Sequence, residues 1–503
     1  GNGMNEVLNY VLSAVCNPTS LIMVLAGTCM GLIFGALPGL SATMAVALLI
    51  PMTFTLEPVP AIGAMLGAYV GGMAGGAVAS ILLNIPGTPS AVVTTFDGYP
   101  MSKNGRAAEA LGWAAFASGV GSLVSWAILV FAAPKLAALC TSFSAPEYAA
   151  LAFFGLTIIS TVSGKSMTKG LIAGLIGIVL SMAGTDPIWG DLRFTFGNYN
   201  LLSGVSTMPA LIGLYSIPQI LKGCLEKNET EKVDVKLKNF VPSPKKLWQH
   251  KWNLLRSSLI GTMIGIIPAT GGNIASFIAY DQAKRFSKEP ETFGKGNPDG
   301  VIASEAANNA VCGGALIPLL TLGIPGDSPT AVLLGGLMIQ GLTPGPAMFT
   351  EKYNVIVGVF CMLLIATIFM VLLQMFGIKI FTKVLAVPTN YLSAALVVLS
   401  LVGSYALRSN MFDVLMTIAL GLFGYLMMKA QYPIAPAVLG LVLGSMFERE
   451  FRTALRTSLN SPLVFFKRPV SCTIILIALA VLVWTVINHY RDKKKKTHSD
   501  MLI

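Results

Sequence analysis

Long stretches without a charged residue constrain this sequence more than any other feature. No Asp, Glu, Lys or Arg occurs between Glu6 and Glu57, between Glu57 and Asp97, or in residues 110–134. A helix that crosses the hydrocarbon core needs about 20 mostly apolar residues, so the chain can supply about 10 to 13 membrane segments. Charged residues make up 11% of the chain, whereas a soluble protein carries roughly a quarter. The sequence therefore predicts an all-α, polytopic membrane protein of the lipid bilayer and excludes soluble enzymes.

The net charge of +11 does not indicate a nucleic-acid partner. Lys and Arg cluster between the apolar segments, as they do in the cytoplasmic loops of membrane proteins. The three histidines, His250, His489 and His498, lie in basic linkers or in the tail, which argues against a histidine metal site and the usual catalytic constellations. The sequence contains no GxxxxGK[ST] nucleotide-binding motif. We therefore expect no enzyme activity, no cofactor and no nucleic-acid partner.

A polar, lysine-rich segment divides the chain. Residues 222–252 are expected to form a cytoplasmic linker between a first membrane repeat, 1–221, and a second, 253–468. A C-terminal helix with a basic tail, 469–503, follows, and its run of four lysines favours a cytoplasmic end.

Two helix-breaking motifs recur in the same order in both halves. GLIFGALPG at 31–39 recurs as GTMIGIIP at 261–268, at an offset of 230. NIPGTPS at 84–90 recurs as GIPGDSPT at 323–330, at an offset of 239. Pro and Gly interrupt helices, so the motifs predict broken helices or re-entrant hairpins. Paired breaks in two halves indicate a transport site at the repeat interface.

The loop charges favour an inverted relation between the repeats. Residues 51–60 contain no Lys or Arg, whereas the equivalent loop, 281–299, contains four. The loop after the second break has the opposite bias, with Lys103 and Arg106 in the first half and Lys352 alone in the second. Equivalent loops thus favour opposite sides of the membrane, as inverted-topology repeats require.

A hairpin is expected in the second half. If 222–252 and 281–299 are both cytoplasmic, segment 254–282 must enter and leave the membrane on one side. A hairpin whose tip lies at Pro268–Asn273 satisfies this condition.

The motifs at the breaks resemble a known family. They are similar to the large membrane subunit of the bacterial tripartite tricarboxylate transporters over roughly residues 20–470. The segments that carry the resemblance are GALPGLSAT at 35–43, LNIPGTP at 83–89, DGYP at 97–100, GR at 105–106, GGN at 271–273, SEAANN at 304–309 and GIPGDSP at 323–329. Ala269 departs from the family pattern, which usually has Gly there.

The resemblance implies a function and a set of partners. It implies uptake of di- or tricarboxylates across the bacterial inner membrane, as a multi-pass protein driven by a sodium or proton gradient. It also implies a periplasmic solute-binding protein that delivers the substrate and a small membrane subunit.

The candidate substrate-binding residues lie mainly at the breaks, where half-helix N-termini offer free N–H groups and a positive dipole end to an anion. Ordinary helix capping is the alternative role for the Ser, Thr and Asn residues among them. The candidates are Pro38, Gly39, Ser41, Thr43, Asn84, Thr88, Ser90, Gly271, Gly272, Asn273, Ser276, Asn308, Asn309, Ser328 and Thr330.

Two acidic residues are candidates for coupling to the cation. Asp327 and Glu305 lie in long uncharged surroundings, and a charge at membrane depth is costly unless it is paired. Asp327 sits on a break, where unwound carbonyls could complete a sodium shell; its alternative role is a helix cap. Glu305 shares a helix face with Asn308 and Asn309, and that face either lines the site or links helices by hydrogen bonds. Asp97, by contrast, is expected in a solvated loop.

Three other functions remain open on the sequence alone. A stand-alone carrier for another small solute would need no binding protein. A membrane-embedded enzyme would need a nucleophile and base or a metal site, and a channel would need a repeated selectivity filter.

Overall fold

The computed structural model describes residues 2–37, 40–162, 166–225, 241–268, 270–377 and 389–500. Pro38, Gly39 and Ala269, together with positions 226–240 of the predicted linker, lie outside the described residues. The described part is helical almost throughout, which confirms the all-α fold class. Its one strand pair is short and antiparallel, β1 at Gly184–Thr185 with β2 at Leu192–Arg193.

The helices of the described residues are numbered in chain order. They are α1 Asn2–Val15, α2 Pro18–Ala36, α3 Ala42–Thr53, α4 Pro58–Leu83, α5 Val92–Met101, α6 Ala107–Cys140, α7 Ala145–Val162, α8 Met167–Ser181, α9 Thr207–Leu211, α10 Ile217–Leu225, α11 Pro244–Ile266, α12 Gly271–Arg285, α13 Pro298–Leu322, α14 Ser328–Ile339, α15 Met348–Glu351, α16 Tyr353–Phe376, α17 Thr389–Arg408, α18 Met411–Lys429, α19 Ile434–Thr457, α20 Val464–Lys467 and α21 Pro469–Asp500. One 3-10 turn, Pro89–Ala91, lies directly before α5.

Five helical stretches in the described residues are long and apolar enough to cross a membrane, and shorter apolar helices such as α3, α8 and α14 accompany them. The chain is therefore a multi-pass membrane protein. The five stretches are Pro18–Ala36, Pro58–Leu83, Pro89–Cys140, Tyr353–Phe376 and Met411–Lys429.

The chain forms two compact units. Unit 1 comprises 1–138 and 211–422, and unit 2 comprises 139–210 and 423–503. In unit 2, helix α19 packs against α7 and α8, and ion pairs link its polar end to the β1–β2 hairpin. All of the predicted site residues that the structure describes fall in unit 1.

The helices of unit 1 end where the sequence motifs predict. Helix α4 ends at Asn84, which has a left-handed backbone with φ of 55°, and α13 ends at Gly323 with φ of 70°. These two residues are equivalent at the offset of 239. Gly accepts this conformation without strain and Asn is among the few other residues that adopt it.

Glycines at equivalent positions make equivalent contacts in the two halves. A Cβ atom added to Gly31 of α2 would overlap the carbonyl oxygen of Ala68 on α4. A Cβ atom added to Gly261 of α11 would overlap the carbonyl oxygen of Ala307 on α13 in the same way. Close helix packing of this kind needs small residues at the interface. The α2–α4 and α11–α13 pairs are thus packed in the same register.

The second break is fixed against the first in both halves. A Cβ atom on Gly87 would overlap the carbonyl oxygen of Gly35, and one on Gly326 would overlap that of Gly265. Each Ile-Pro-Gly segment therefore lies against the end of the helix that precedes the first break. The repetition extends from the sequence to the packing of the broken segments.

Helices α11 and α12 form the predicted hairpin. They pack against each other, and the guanidinium of Arg256 on α11 lies 4.7 Å from the ring of Phe286, which follows α12. The end of α12 therefore lies level with Arg256 on α11.

The C-terminal end of α4 and the N-terminal end of α13 lie together at one end of unit 1. A Cβ atom on Gly98 of α5 would lie 2.7 Å from the side chain of Ile81 near the end of α4. The neighbouring residue, Asp97, accepts a hydrogen bond of 2.8 Å from the backbone N–H of Asn297, just before α13. Since α4 and α13 also touch at their middles, they run in opposite directions.

Candidate functional site

The half-helices of the first repeat meet the middle of α4. A Cβ atom on Gly72 would lie 2.5 Å from the Cβ atom of Ala42, at the start of α3, and one on Gly76 would overlap the hydroxyl of Thr88. Only glycines at these points of α4 allow the two breaks to approach so closely.

The half-helices of the second repeat reach the same place. A Cβ atom on Gly272, in the first turn of α12, would lie 2.8 Å from Met73 of α4 and 3.0 Å from Ser90. One on Gly271 would lie 3.8 Å from Asp327, which precedes α14. All four breaks therefore converge around the midpoints of α4 and α13.

Asp327 caps α14 and is bound to α4. Its Oδ1 accepts hydrogen bonds from the backbone N–H of Thr330 (3.0 Å) and from the Thr330 hydroxyl (2.6 Å), while its own N–H donates to that hydroxyl. Its Oδ2 accepts a hydrogen bond of 2.5 Å from the hydroxyl of Tyr69, which is fully buried. The geometry is that of the helix-cap alternative, with one additional bond to the other half of the chain.

Asn308 and Asn309 tie α13 to α4 through their amide nitrogens. Asn308 donates to the carbonyl oxygen of Met73 (2.9 Å) and Asn309 to that of Val70 (3.2 Å). Both side chains are fully buried, and neither Oδ1 atom has a hydrogen-bond partner. The Oδ1 of Asn308 lies where a Cβ atom of Gly272 would be. Both of the roles considered for this face, lining and cross-linking, are compatible with these contacts.

The contacts between α4 and α13 are reciprocal. Tyr69 is equivalent to Asn308, and Met73 is equivalent to Cys312, at the offset of 239. Asn308 bonds to Met73, and the hydroxyl of Tyr69 in turn lies close to the thiol of Cys312. In an exchange of this kind, i contacts j and the equivalent of i contacts the equivalent of j, as two related halves would.

Glu305 lies one helical turn from Asn308 and is fully buried. Its Oε1 accepts a very short hydrogen bond from the Thr94 hydroxyl, and its Oε2 accepts one of 3.2 Å from the Ser118 hydroxyl. The Thr94 hydroxyl also lies 3.0 Å from that of Ser304. Within the described ranges, no basic side chain interacts with Glu305 or with Asp327.

The N-terminus of α12 differs from those of α3 and α14. Ser41 caps α3 by accepting a hydrogen bond from the N–H of Met44 (3.2 Å), as Asp327 caps α14. At α12, the Thr270 hydroxyl turns back to the carbonyl oxygens of Ile264 and Ile267 and makes no cap bond. The first N–H groups of α12 are therefore without a side-chain cap.

Several predicted residues lie elsewhere. Asn84 and Asn273 are exposed, Thr43 is buried within α3, and Ser276 donates to the carbonyl oxygen of Ser304 (3.1 Å). Four other predicted residues join the convergence of the breaks or its edge. They are Thr88 and Ser90, whose hydroxyls lie 3.1 Å apart, and Ser328 and Thr330 at the start of α14.

Tyr69 and Asp97 are two residues that the sequence did not reveal, as are Thr94 and Ser118 beside Glu305. Tyr69 belongs to no motif, although its equivalence to Asn308 could have drawn attention to it. Asp97 was expected in a solvated loop, and this was wrong, since it is fully buried. Its carboxylate accepts hydrogen bonds from three backbone N–H groups of residues 294–297 and from Tyr280. A buried carboxylate is tolerated there because four donors replace its hydration.

Comparison with known proteins gives one family and two relatives. Residues 21–439 match the model of the tripartite tricarboxylate transporter TctA family. An uncharacterized 52.8 kDa protein in the TAR-I ttuC′ 3′ region of Agrobacterium vitis is 34% identical over 489 residues, which cover 97% of each chain. An uncharacterized protein in the TAR-II ttuC′ 3′ region of the same organism is 33% identical over 234 residues, 46% of this chain and 97% of the relative. No solved structure matches the chain.

Proposed function

The chain belongs to the tripartite tricarboxylate transporter TctA family, and from that membership we propose that it takes up di- or tricarboxylates across the bacterial inner membrane by secondary active transport. A sodium or proton gradient drives the uptake. A periplasmic solute-binding protein delivers the substrate and a small membrane subunit accompanies the chain, as the word tripartite in the family description suggests.

One observation supports the coupling of uptake to a cation. Two fully or almost fully buried carboxylates, Asp327 and Glu305, flank the convergence of the four breaks, and no basic side chain of the described residues faces them. A multiply charged anion cannot enter such a place without compensation, because buried like charges repel strongly at low dielectric. A co-transported cation supplies that compensation.

The substrate carboxylate binds at the N-terminus of α12. Its N–H groups are without a side-chain cap, whereas Ser41 and Asp327 cap the N-termini of α3 and α14. Free N–H groups at the positive end of a helix dipole are sufficient for an anion. Gly272 lets these groups lie close to Asn308, Met73 and Ser90.

The two repeats are inverted with respect to the membrane. Equivalent helices α4 and α13 run in opposite directions and meet through reciprocal contacts, and this arrangement supports the inversion favoured by the loop charges. Alternating access would then exchange equivalent contacts of the two halves.

The test is uptake of labelled citrate, tartrate and succinate into proteoliposomes, with and without a sodium gradient, a proton gradient and the binding protein. We expect uptake that requires one gradient and the binding protein. Gradient-dependent uptake without the binding protein would instead favour the stand-alone carrier, and a flux indifferent to both gradients would refute secondary active transport.

Gly272→Ala locates the anion site. The added methyl group would overlap the Asn308 amide and approach Met73, so we expect loss of uptake with normal insertion. Gly63→Ala is the matched control, because the atoms nearest to its methyl group belong to the flexible Met362 side chain, the first of them at 3.0 Å. Normal uptake by Gly272→Ala would place the anion elsewhere.

A further inference from the structure

The two buried carboxylates of the site have different surroundings. Asp327 accepts a backbone N–H at the start of α14, and an N–H group can only donate. This donor and the dipole of the helix that follows favour the ionised carboxylate. Glu305 lies inside α13, away from either helix end, and its partners are the hydroxyl groups of Thr94 and Ser118 and the side-chain amide of Asn308 one turn further along the helix.

Hydroxyl groups fit both forms of a carboxyl group. A hydroxyl donates to a carboxylate oxygen and, after rotation, accepts from the O–H of a carboxylic acid. The hydroxyls of Thr94 and Ser118 can therefore satisfy Glu305 before and after it takes up a proton. The Ser304 hydroxyl, 3.0 Å from that of Thr94, extends the chain of exchangeable protons by one group.

The helices packed around Glu305 bring no compensating charge from the described residues. The titratable or charged side chains on these elements have other partners. They are Asp97 on α5, bonded to residues 294–297; Tyr280 on α12, bonded to Asp97; Tyr69 on α4, bonded to Asp327; His250 on α11, bonded to Asp299 at the start of α13; Arg256 on α11, over the ring of Phe286; and Glu109 on α6, paired with Arg106.

The contacts favour a proton over a metal ion at this position. Both hydroxyls make direct hydrogen bonds to the carboxylate. A hard metal ion needs a shell of several oxygens around a common centre. The hydroxyl of Thr94 bonds to Oε1 and that of Ser118 to Oε2, so the two hydroxyls lie on different oxygens of the carboxylate.

We propose that Glu305 takes up and releases the proton that accompanies the substrate, while Asp327 keeps its charge as a fixed cap. The carboxylate takes one proton from water on one side of the membrane and becomes a carboxylic acid, and it returns that proton on the other side. Because Glu305 carries one proton, one positive charge crosses the membrane with each substrate anion. The inference rests on the proposed function, since it names the coupling group of that site.

The first test is independent of transport. Infrared spectra of the full chain in proteoliposomes at neutral pH should contain the C=O stretching band of a buried protonated carboxyl group. Glu305→Gln should abolish the band, and Asp327→Asn should leave it. A band that survives in Glu305→Gln, or the lack of such a band in the wild-type protein, would overturn the proposal. This result stands even if no carboxylate proves to be a substrate.

The second test follows the proton itself. Liposomes loaded with a fluorescent pH indicator should acidify during substrate uptake by the wild-type protein. In Glu305→Gln, a neutral isostere, acidification should stop while exchange of labelled for unlabelled substrate continues. Glu109→Gln makes the same chemical change in a surface ion pair with Arg106 and should behave as wild type. Acidification by Glu305→Gln at the wild-type rate would refute the role of Glu305, whereas the absence of any uptake by the wild-type protein would refute the proposed function.

Discussion

Removal of the charge of Asp97 is expected to release the loop before α13. The Oδ1 atom accepts hydrogen bonds from the N–H groups of Gly294 (2.9 Å), Gly296 (2.9 Å) and Asn297 (2.8 Å). The Oδ2 atom accepts one of 2.8 Å from the Tyr280 hydroxyl on α12. This single side chain therefore ties α5 to α12 and to the loop that joins α12 to α13.

The magnitude follows from the number of bonds. A hydrogen bond to a charged group contributes about 1.5–3 kcal/mol and a neutral one about 0.5–1.5 kcal/mol. Asp97→Asn keeps the size and the Oδ1 acceptor but makes three N–H bonds neutral, at a loss of about 1–1.5 kcal/mol each, so the loop should lose about 3–4.5 kcal/mol. Since about 1.4 kcal/mol is a factor of ten, opening of the loop should become about 100-fold to 1,000-fold more frequent.

Amide hydrogen exchange in lipid nanodiscs measures this opening. In Asp97→Asn, the amides of Gly294, Gly296 and Asn297 should exchange faster by that factor, and those in the middle of α13 should not change. Asp281→Asn is the matched control, because Asp281 forms an exposed ion pair with Arg285 on α12. Equal exchange of the loop in the two variants would refute the reasoning.

Three further predictions use other parts of the structure. Gly261→Ala should lower the free energy of unfolding by an overpacking cost of about 1–3 kcal/mol and so lower the unfolding temperature in detergent. Gly63→Ala should leave that temperature nearly unchanged, and equal unfolding temperatures of the two variants would contradict the packing register. Cysteines introduced at Leu56 and Pro290 should react with an impermeant maleimide from opposite faces of the membrane, and labelling from one face would reject inverted repeats. Hydrogen bonds from backbone N–H groups and an arginine ion pair hold the pKa of Asp186, outside the membrane segments, below its usual 3.8. The ionised Asp186 thus stabilises the β1–β2 hairpin above pH 3.8, and this stabilisation is lost as the pH falls through the lowered pKa. Hydrogen exchange of the hairpin amides should therefore accelerate at acid pH, and unchanged exchange would contradict this role of Asp186.

The helix ends of unit 1 could be predicted because their causes are local. A Gly at position 323 and an Asn at position 84 mark left-handed helix ends, and Pro-Gly pairs stop helices whatever surrounds them. The repetition of these signals also predicted the equivalence of the two halves. The inversion of their topology and the number of membrane segments stay predictions.

The site was only partly predictable because its partners are remote in sequence. Asp327 could be selected as an isolated charge, but its partner Tyr69 lies 258 residues away, and no local pattern connects them. Asp97 was misplaced for the same reason, since its donors lie about 200 residues further on. Asn273 sits at the right break, yet the pitch of α12 turns it outward, and helix phase cannot be fixed from a break alone.

The reciprocal contacts of α4 and α13 join residues that are equivalent in position and different in chemistry. Tyr69 stands where Asn308 stands in the other half, and Thr88 stands where Asp327 does. A two-fold scaffold with identical side chains would present a bound molecule with two equal poses, related by half a turn. The divergence of the paired positions removes that degeneracy, so a transported molecule would be held in one pose. One end of the molecule would lead as it enters the protein, and the other end would lead as it leaves.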